Sequence, residues 1–188
     1  MQFSSASLPQ EDKLYLGYVG RLDVARGEDL LIDIAHELPA GTELRMAIQH
    51  PGDRWSDVKK NLEGTRTQIE LDVPYERMPQ FLKGIHVLVN PITDSYSTTR
   101  VTLEAMSTGR PAIMFNTGER YPIKNGENGF LVDPDVPSVC KIVEELKSDR
   151  GRLERASIMA RAAIEKEFAA PIVAAKIRQL YEELTTRA

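Results

Sequence analysis

Cysteine is nearly absent from this chain of 188 residues: Cys140 stands alone, which excludes an intramolecular disulfide framework and fits a reducing, cytoplasmic compartment. Long apolar runs are missing as well. No segment reaches the roughly 18 residues needed to span a bilayer, and Met1–Asp12 is polar and serine-rich rather than a secretory signal. Basic runs are lacking too. The 24 Lys and Arg are scattered among 28 Asp and Glu, giving a net charge of −4, so nucleic acid is not an expected partner. With 3 His and one Cys set far apart, no metal-ligand cluster is visible, and neither metal nor cofactor is expected.

What is present is an alternation of short, β-rich apolar runs with amphipathic stretches, the pattern of βαβ units around a parallel sheet. Strands are expected at 14–19, 43–48, 68–71, 86–91, 111–115 and 129–132, with helices at 27–38, 53–62, 75–83 and 99–108. Leu30, Leu31, Ile34, Ala35 and Leu38 share one face of the first helix. After Asp135 three helices follow without strands, at 137–147, 150–167 and 171–185. The fold class is therefore α/β: a doubly wound, Rossmann-like parallel sheet with a C-terminal helical tail. Residues 1–12 read as a flexible leader or the remnant of an interdomain linker, and 13–188 as the domain. Cys140, beside Val136, Val139 and Val143, is expected to be inert core packing.

Right-handed crossovers place all strand-to-helix loops on one edge of such a sheet, so a site is sought there. His86 falls at the opposite end of its strand and reads as structural. His50 falls on the functional edge and reads as a solvated loop histidine, while His36 lies in the first helix with no partner visible in sequence.

The edge carries two informative loops. One is Asp94-Ser95-Tyr96-Ser97-Thr98-Thr99-Arg100-Val101-Thr102-Leu103-Glu104-Ala105-Met106, following the apolar run His86–Ile92. A strand, a hydroxyl-rich turn and a helix start make an anion site, because unpaired N–H groups and the helix dipole converge there. Glu104, in the second turn of that helix, suits sugar or ribose hydroxyls. The other loop, Gly20-Arg21-Leu22-Asp23-Val24-Ala25-Arg26-Gly27, brackets a tight turn with two arginines, whose planar forks match diphosphate oxygens. A phosphotransfer receiver or a small phosphohydrolase would need an aspartate at a strand end. Asp23 and Asp94 are placed for that, but no acidic pair accompanies either.

Taken in order, Gly20-Arg21-Leu22, Arg26-Gly27, Leu103-Glu104-Ala105-Met106, Gly109-Arg110-Pro111 and Asn125-Gly126-Glu127-Asn128-Gly129-Phe130-Leu131-Val132 resemble the nucleotide-sugar-binding half of GT-B glycosyltransferases, and more narrowly the retaining group 4 family. The resemblance runs from about Leu14 to Tyr181. It implies that Arg21 and Arg26 hold the donor diphosphate, with Arg26 where relatives more often carry lysine. It implies that Glu104 binds ribose, that the backbone near Thr98–Arg100 cradles phosphate, that Gly20 belongs to the donor site, and that no metal is needed. The loop of Asp94, Tyr96, Ser97, Thr98 and Thr99 would face the sugar.

Departures fall on the sugar side. Tyr96 stands where the family motif has a glutamate contacting the donor sugar, with Asp94 two residues earlier as the nearest carboxylate. Ser97-Thr98-Thr99 replaces Gly-Phe-Gly, and Tyr121-Pro122 stands where relatives carry Pro-Glu. The resemblance further implies a partner, the N-terminal acceptor domain of a two-domain enzyme. Without it, this donor domain of a retaining glycosyltransferase would bind a nucleotide-sugar and transfer little. Any membrane contact would be peripheral, at the inner face. The alternative is a non-catalytic partner or regulatory domain that keeps the fold. Base, sugar and acceptor carry no readable pattern.

Overall fold

The computed structural model describes residues 3–22, 27–93 and 99–186. Six strands, β1 (Leu14–Gly20), β2 (Thr42–Ile48), β3 (Thr67–Leu71), β4 (Val87–Asn90), β5 (Ala112–Phe115) and β6 (Phe130–Val132), form one sheet in the order β3-β2-β1-β4-β5-β6. Every pairing is parallel, with Gly17 of β1 opposite Arg45 on one side and Leu88 on the other. Helices α1 (Glu28–Glu37), α2 (Trp55–Asn61), α3 (Met78–Lys83), α4 (Arg100–Ser107), α5 (Val136–Ser148), α6 (Arg150–Glu167) and α7 (Ala170–Thr186) complete the chain, and a short 3-10 turn at Tyr75–Arg77 leads into α3. The Rossmann-like α/β sheet and the helical tail are those expected.

Period-two alternation divides the core. Leu14, Leu16 and Tyr18 of β1 pack with Leu31 and Ile34 of α1 and Val139 and Val143 of α5, whereas Tyr15 and Val19 face Met78, Leu82, Ala105 and Met106 of α3 and α4. Because both faces are covered, β1, β4 and β5 read as nearly continuous apolar runs. α6 serves both layers, giving Leu153 and Ala156 to the first and Ala160 and Ile164 to the second. By contrast α7 is exposed along its length, and Ile177, Leu180, Tyr181 and Leu184 repeat at helical spacing on a face that no described residue covers.

Residues 3–12 lie along the domain. Leu8 is buried in the core, the Ala6 amide donates to the Thr108 carbonyl, and Lys83 Nζ donates to the Ser4 hydroxyl. Arg110 fastens this segment. Fully buried, its guanidinium donates to the carbonyls of Ala6 (2.8 Å), Ser7 (3.0 Å), Lys83 (2.6 Å), Ile85 (3.0 Å) and Thr108 (2.6 Å). Burial pushes its pKa down to about 10, which leaves it charged at neutral pH.

His86 is structural, as its place in the strand predicts. It is buried and accepts at Nδ1 from the Tyr15 amide (2.9 Å), while Nε2 donates to the Pro9 carbonyl (3.0 Å). His36 has a partner after all, the Asn61 carbonyl on α2 at 2.7 Å. Cys140 departs from expectation. It is half-buried, and its thiol donates to the Glu37 carbonyl at 3.4 Å across the α1–α5 seam. The 3.6-residue period sends Val139 and Val143 into the core and turns Cys140 onto the flank.

Candidate functional site

The strand order reverses between β1 and β4, and a crevice opens outside the carboxyl ends of neighbouring strands at that point. A cleft of about 470 Å³ occupies it. Among its walls are five residues singled out by sequence: Gly20, Arg21, Thr99, Arg100 and Glu104. Arg26, Asp94, Tyr96, Ser97 and Thr98 lie outside the described residues.

Each wall is set by local chemistry. Arg21 leaves β1 exposed, with its carbonyl accepting a hydrogen bond from the Tyr18 hydroxyl at 2.7 Å. The turn into α1 closes on Gly27 at φ 77, a left-handed conformation, where a Cβ would fall 2.3 Å from the Pro91 carbonyl oxygen. Only glycine lets α1 start this close to the end of β4. Arg54 of the segment before α2 pairs with Glu28 and Asp29 in the first turn of α1, both at 3.0 Å.

On the β4 side, Asn90 ends the strand buried and donates to the hydroxyls of Thr99 (2.8 Å) and Thr102 (3.1 Å). Thr99 sits at the N-cap of α4 in extended conformation, yet its hydroxyl makes no capping bond to the helix amides. The start of α4 is thus pinned to the sheet through side chains, and among the described residues no side chain caps its first-turn N–H groups.

Glu104 lies one turn further along α4 and is mostly buried. Its Oε1 accepts from the Tyr75 hydroxyl at 2.9 Å and lies 3.5 Å from Arg100 Nε. Burial raises its pKa, and the Tyr75 hydrogen bond and the Arg100 charge oppose that rise. The carboxylate offers a hydrogen-bond acceptor inside a cleft whose rim carries the Arg21 and Arg100 guanidinium groups. Such a site suits a ligand with hydroxyls at one end and negative charge at the other.

Sequence reading missed three contributors. Tyr75 opens the helix expected at 75–83, and no motif marked it. Asn90 carried a signal, a lone amide closing the apolar run Val87-Leu88-Val89. Buried Arg120, whose Nε donates to the Phe115 carbonyl at 3.0 Å, braces the loop after β5 and had none. His50, expected to be solvated, is exposed, yet it also lines the cleft in left-handed conformation at φ 60. Two quoted motifs prove architectural: Arg110 as described, and Asn125 and Asn128, whose side-chain oxygens accept from the amides of Leu131 (2.9 Å) and Lys124 (2.7 Å).

A polar cleft at the switch point of an open, doubly wound sheet is where α/β domains of this class bind their ligands. The chain belongs to the group 1 glycosyl transferases: that family's profile matches residues 13–149. It is 28% identical over 158 residues to an exopolysaccharide phosphotransferase of Streptomyces coelicolor, covering 81% of this chain but only 17% of that protein. Among solved structures it is similar to Anabaena HepE in complex with UDP and glucose (TM-score 0.78, 21% identity, 93% of this chain and 49% of HepE). It is likewise similar to the C-terminal domain of LpcC, a glycosyl transferase group 1 family protein of Francisella tularensis (TM-score 0.75, 18% identity, 89% of this chain and 96% of that one). The chain thus spans about a sixth of the curated relative and about half of HepE. No helix among the described residues is long and apolar enough to cross a membrane.

Proposed function

We propose that this domain binds the nucleotide-diphosphate-sugar donor of a retaining glycosyltransferase, and that an N-terminal domain supplies the acceptor. One observation carries the reading: Gly20, Arg21, Thr99, Arg100 and Glu104, distant in sequence, line one cleft at the switch point of the sheet. Arg21 and Arg26 hold the diphosphate, and the start of α4 adds its amides. Glu104 accepts from the ribose hydroxyls, and the loop Asp94–Thr99 faces the sugar. As the glycosidic bond to the donor breaks, guanidinium groups and the helix terminus offset charge on the departing diphosphate, without a metal ion. The uncovered apolar face of α7 and the partial span of relatives support a second domain, without which transfer is weak or absent. The enzyme would work in the cytoplasm, touching a membrane at most peripherally.

Titration calorimetry with UDP, GDP, ADP and their sugar conjugates tests this. Saturable binding to one nucleotide is expected, and Glu104→Ala should weaken it by about 1.5–3 kcal/mol, the scale of hydrogen bonds to a charged group. Unchanged affinity in the variant would return Glu104 to a structural role. Tyr96, standing where relatives carry a sugar-contacting glutamate, favours a second reading: a non-catalytic or regulatory domain. That reading predicts nucleotide binding with no gain from the attached sugar.

A further inference from the structure

Glu104 has two neighbours able to orient it, and they differ in exposure. Arg100 is 83% exposed at its side chain, and its i,i+4 pairing with Glu104 is of the weak, solvent-screened kind. Tyr75 is less exposed, at 45%, and its ring has partners of its own. Its ring packs edge-on against Phe3, with centroids 5.9 Å apart and planes at 64°, and the Arg100 guanidinium lies 5.8 Å from its centroid on the other contact. Phe3 in turn is fixed by its carbonyl, which accepts from Arg161 on α6 at 2.8 Å. The Tyr75 hydroxyl then reaches Glu104 Oε1 at 2.9 Å. Among the described residues, Glu104 Oε2 accepts no hydrogen bond.

We infer that Tyr75 is the positioning residue of the cleft: braced by Phe3, it engages one carboxylate oxygen of Glu104 and so presents the other to the ribose hydroxyls of a nucleoside diphosphate. This rests on the proposal that Glu104 receives the ribose. It also makes the amino-terminal segment part of the site, because Phe3 bears on Tyr75 and Tyr75 on Glu104. Removing the hydroxyl frees the carboxylate to swing toward Arg100, and affinity then falls only for ligands that present ribose hydroxyls.

The test is calorimetry on the full chain with UDP, GDP and ADP, and with the dideoxyribose counterpart of whichever binds tightest. Tyr75→Phe is expected to weaken the ribonucleotide about tenfold, to leave the dideoxy counterpart unchanged, and to add nothing once Glu104→Gln is present. In ligand-free protein, carboxyl NMR should show Glu104 titrating at higher pH in Tyr75→Phe, since the tyrosine bond opposes the effect of burial. Phe3→Ala should move both readouts the same way, about two- to threefold in affinity, and should do nothing further in the Tyr75→Phe background. If Glu104→Gln does not separate ribose from dideoxyribose, the ribose assignment falls. If Glu104→Gln separates them while Tyr75→Phe changes neither affinity nor titration, Tyr75 is a bystander and the inference is overturned. Equal losses for both ligands in Tyr75→Phe would make the Tyr75 hydroxyl a direct contact to a part of the ligand other than the ribose hydroxyls and overturn it equally.

Discussion

Two buried side chains show how much one residue can hold. Arg110 satisfies five carbonyls from three separate stretches of chain. Arg110→Met keeps the apolar stem but orphans those acceptors, so a loss of at least ~3 kcal/mol is expected in urea unfolding. His86 makes a different kind of prediction. Burial opposes a proton on its ring, and because Nδ1 accepts from an amide, a proton there would also set N–H against N–H. Its pKa is lowered from 6.5 to about 4, so below 6.5 the unfolded chain takes up a proton that the folded one refuses. Stability is therefore full above pH 6.5 and declines as pH falls toward 4, by roughly 2–3 kcal/mol for this group alone. Unfolding midpoints across that range should slope accordingly, and His86→Asn should flatten the slope.

Elements depend on backbone as much as on side chains. Gly27 joins the turn after β1 to α1 in left-handed conformation, with the Pro91 carbonyl where a methyl would go. Gly27→Ala should cost about 2–4 kcal/mol. Gly64, also left-handed at φ 80 but with open space around it, should lose only about 1 kcal/mol on the same change. Unfolding curves of the pair separate steric contact from conformational strain. Elements were also what sequence conveyed best. Strand 14–19 is observed as Leu14–Gly20 and helix 150–167 as Arg150–Glu167, because apolar periodicity and flanking glycines are local signals. Side-chain partners were not local. Nothing near Arg110 names residues 6 and 7 as its acceptors, and nothing near Tyr75 names Glu104. Topology brings Arg21, Tyr75 and Glu104 to one sheet edge, but motifs single out only Arg21 and Glu104, which is why Tyr75 was missed. Cys140 failed at finer grain, where one step of helical rotation separates core from flank.

The molecule as a whole is a closed core with one open face. The two apolar layers are complete without α7, whose side chains stay exposed from Ala170 to Thr185. Truncation after Ala169 should leave the urea midpoint within about 0.5 kcal/mol of the full chain, since little apolar surface is lost from the core. A large loss would mean that α7 stabilises the domain by contacts beyond those described. Truncation should instead raise solubility, because the stripe of Ile177, Leu180, Tyr181 and Leu184 is the kind of surface that drives self-association.

The placement of Phe3 against Tyr75 has a practical side. Phe3 is one ring away from the cleft wall, so a tag fused at the amino terminus begins close to Tyr75. A bulky or acidic tag there would crowd the entrance and repel an anionic ligand.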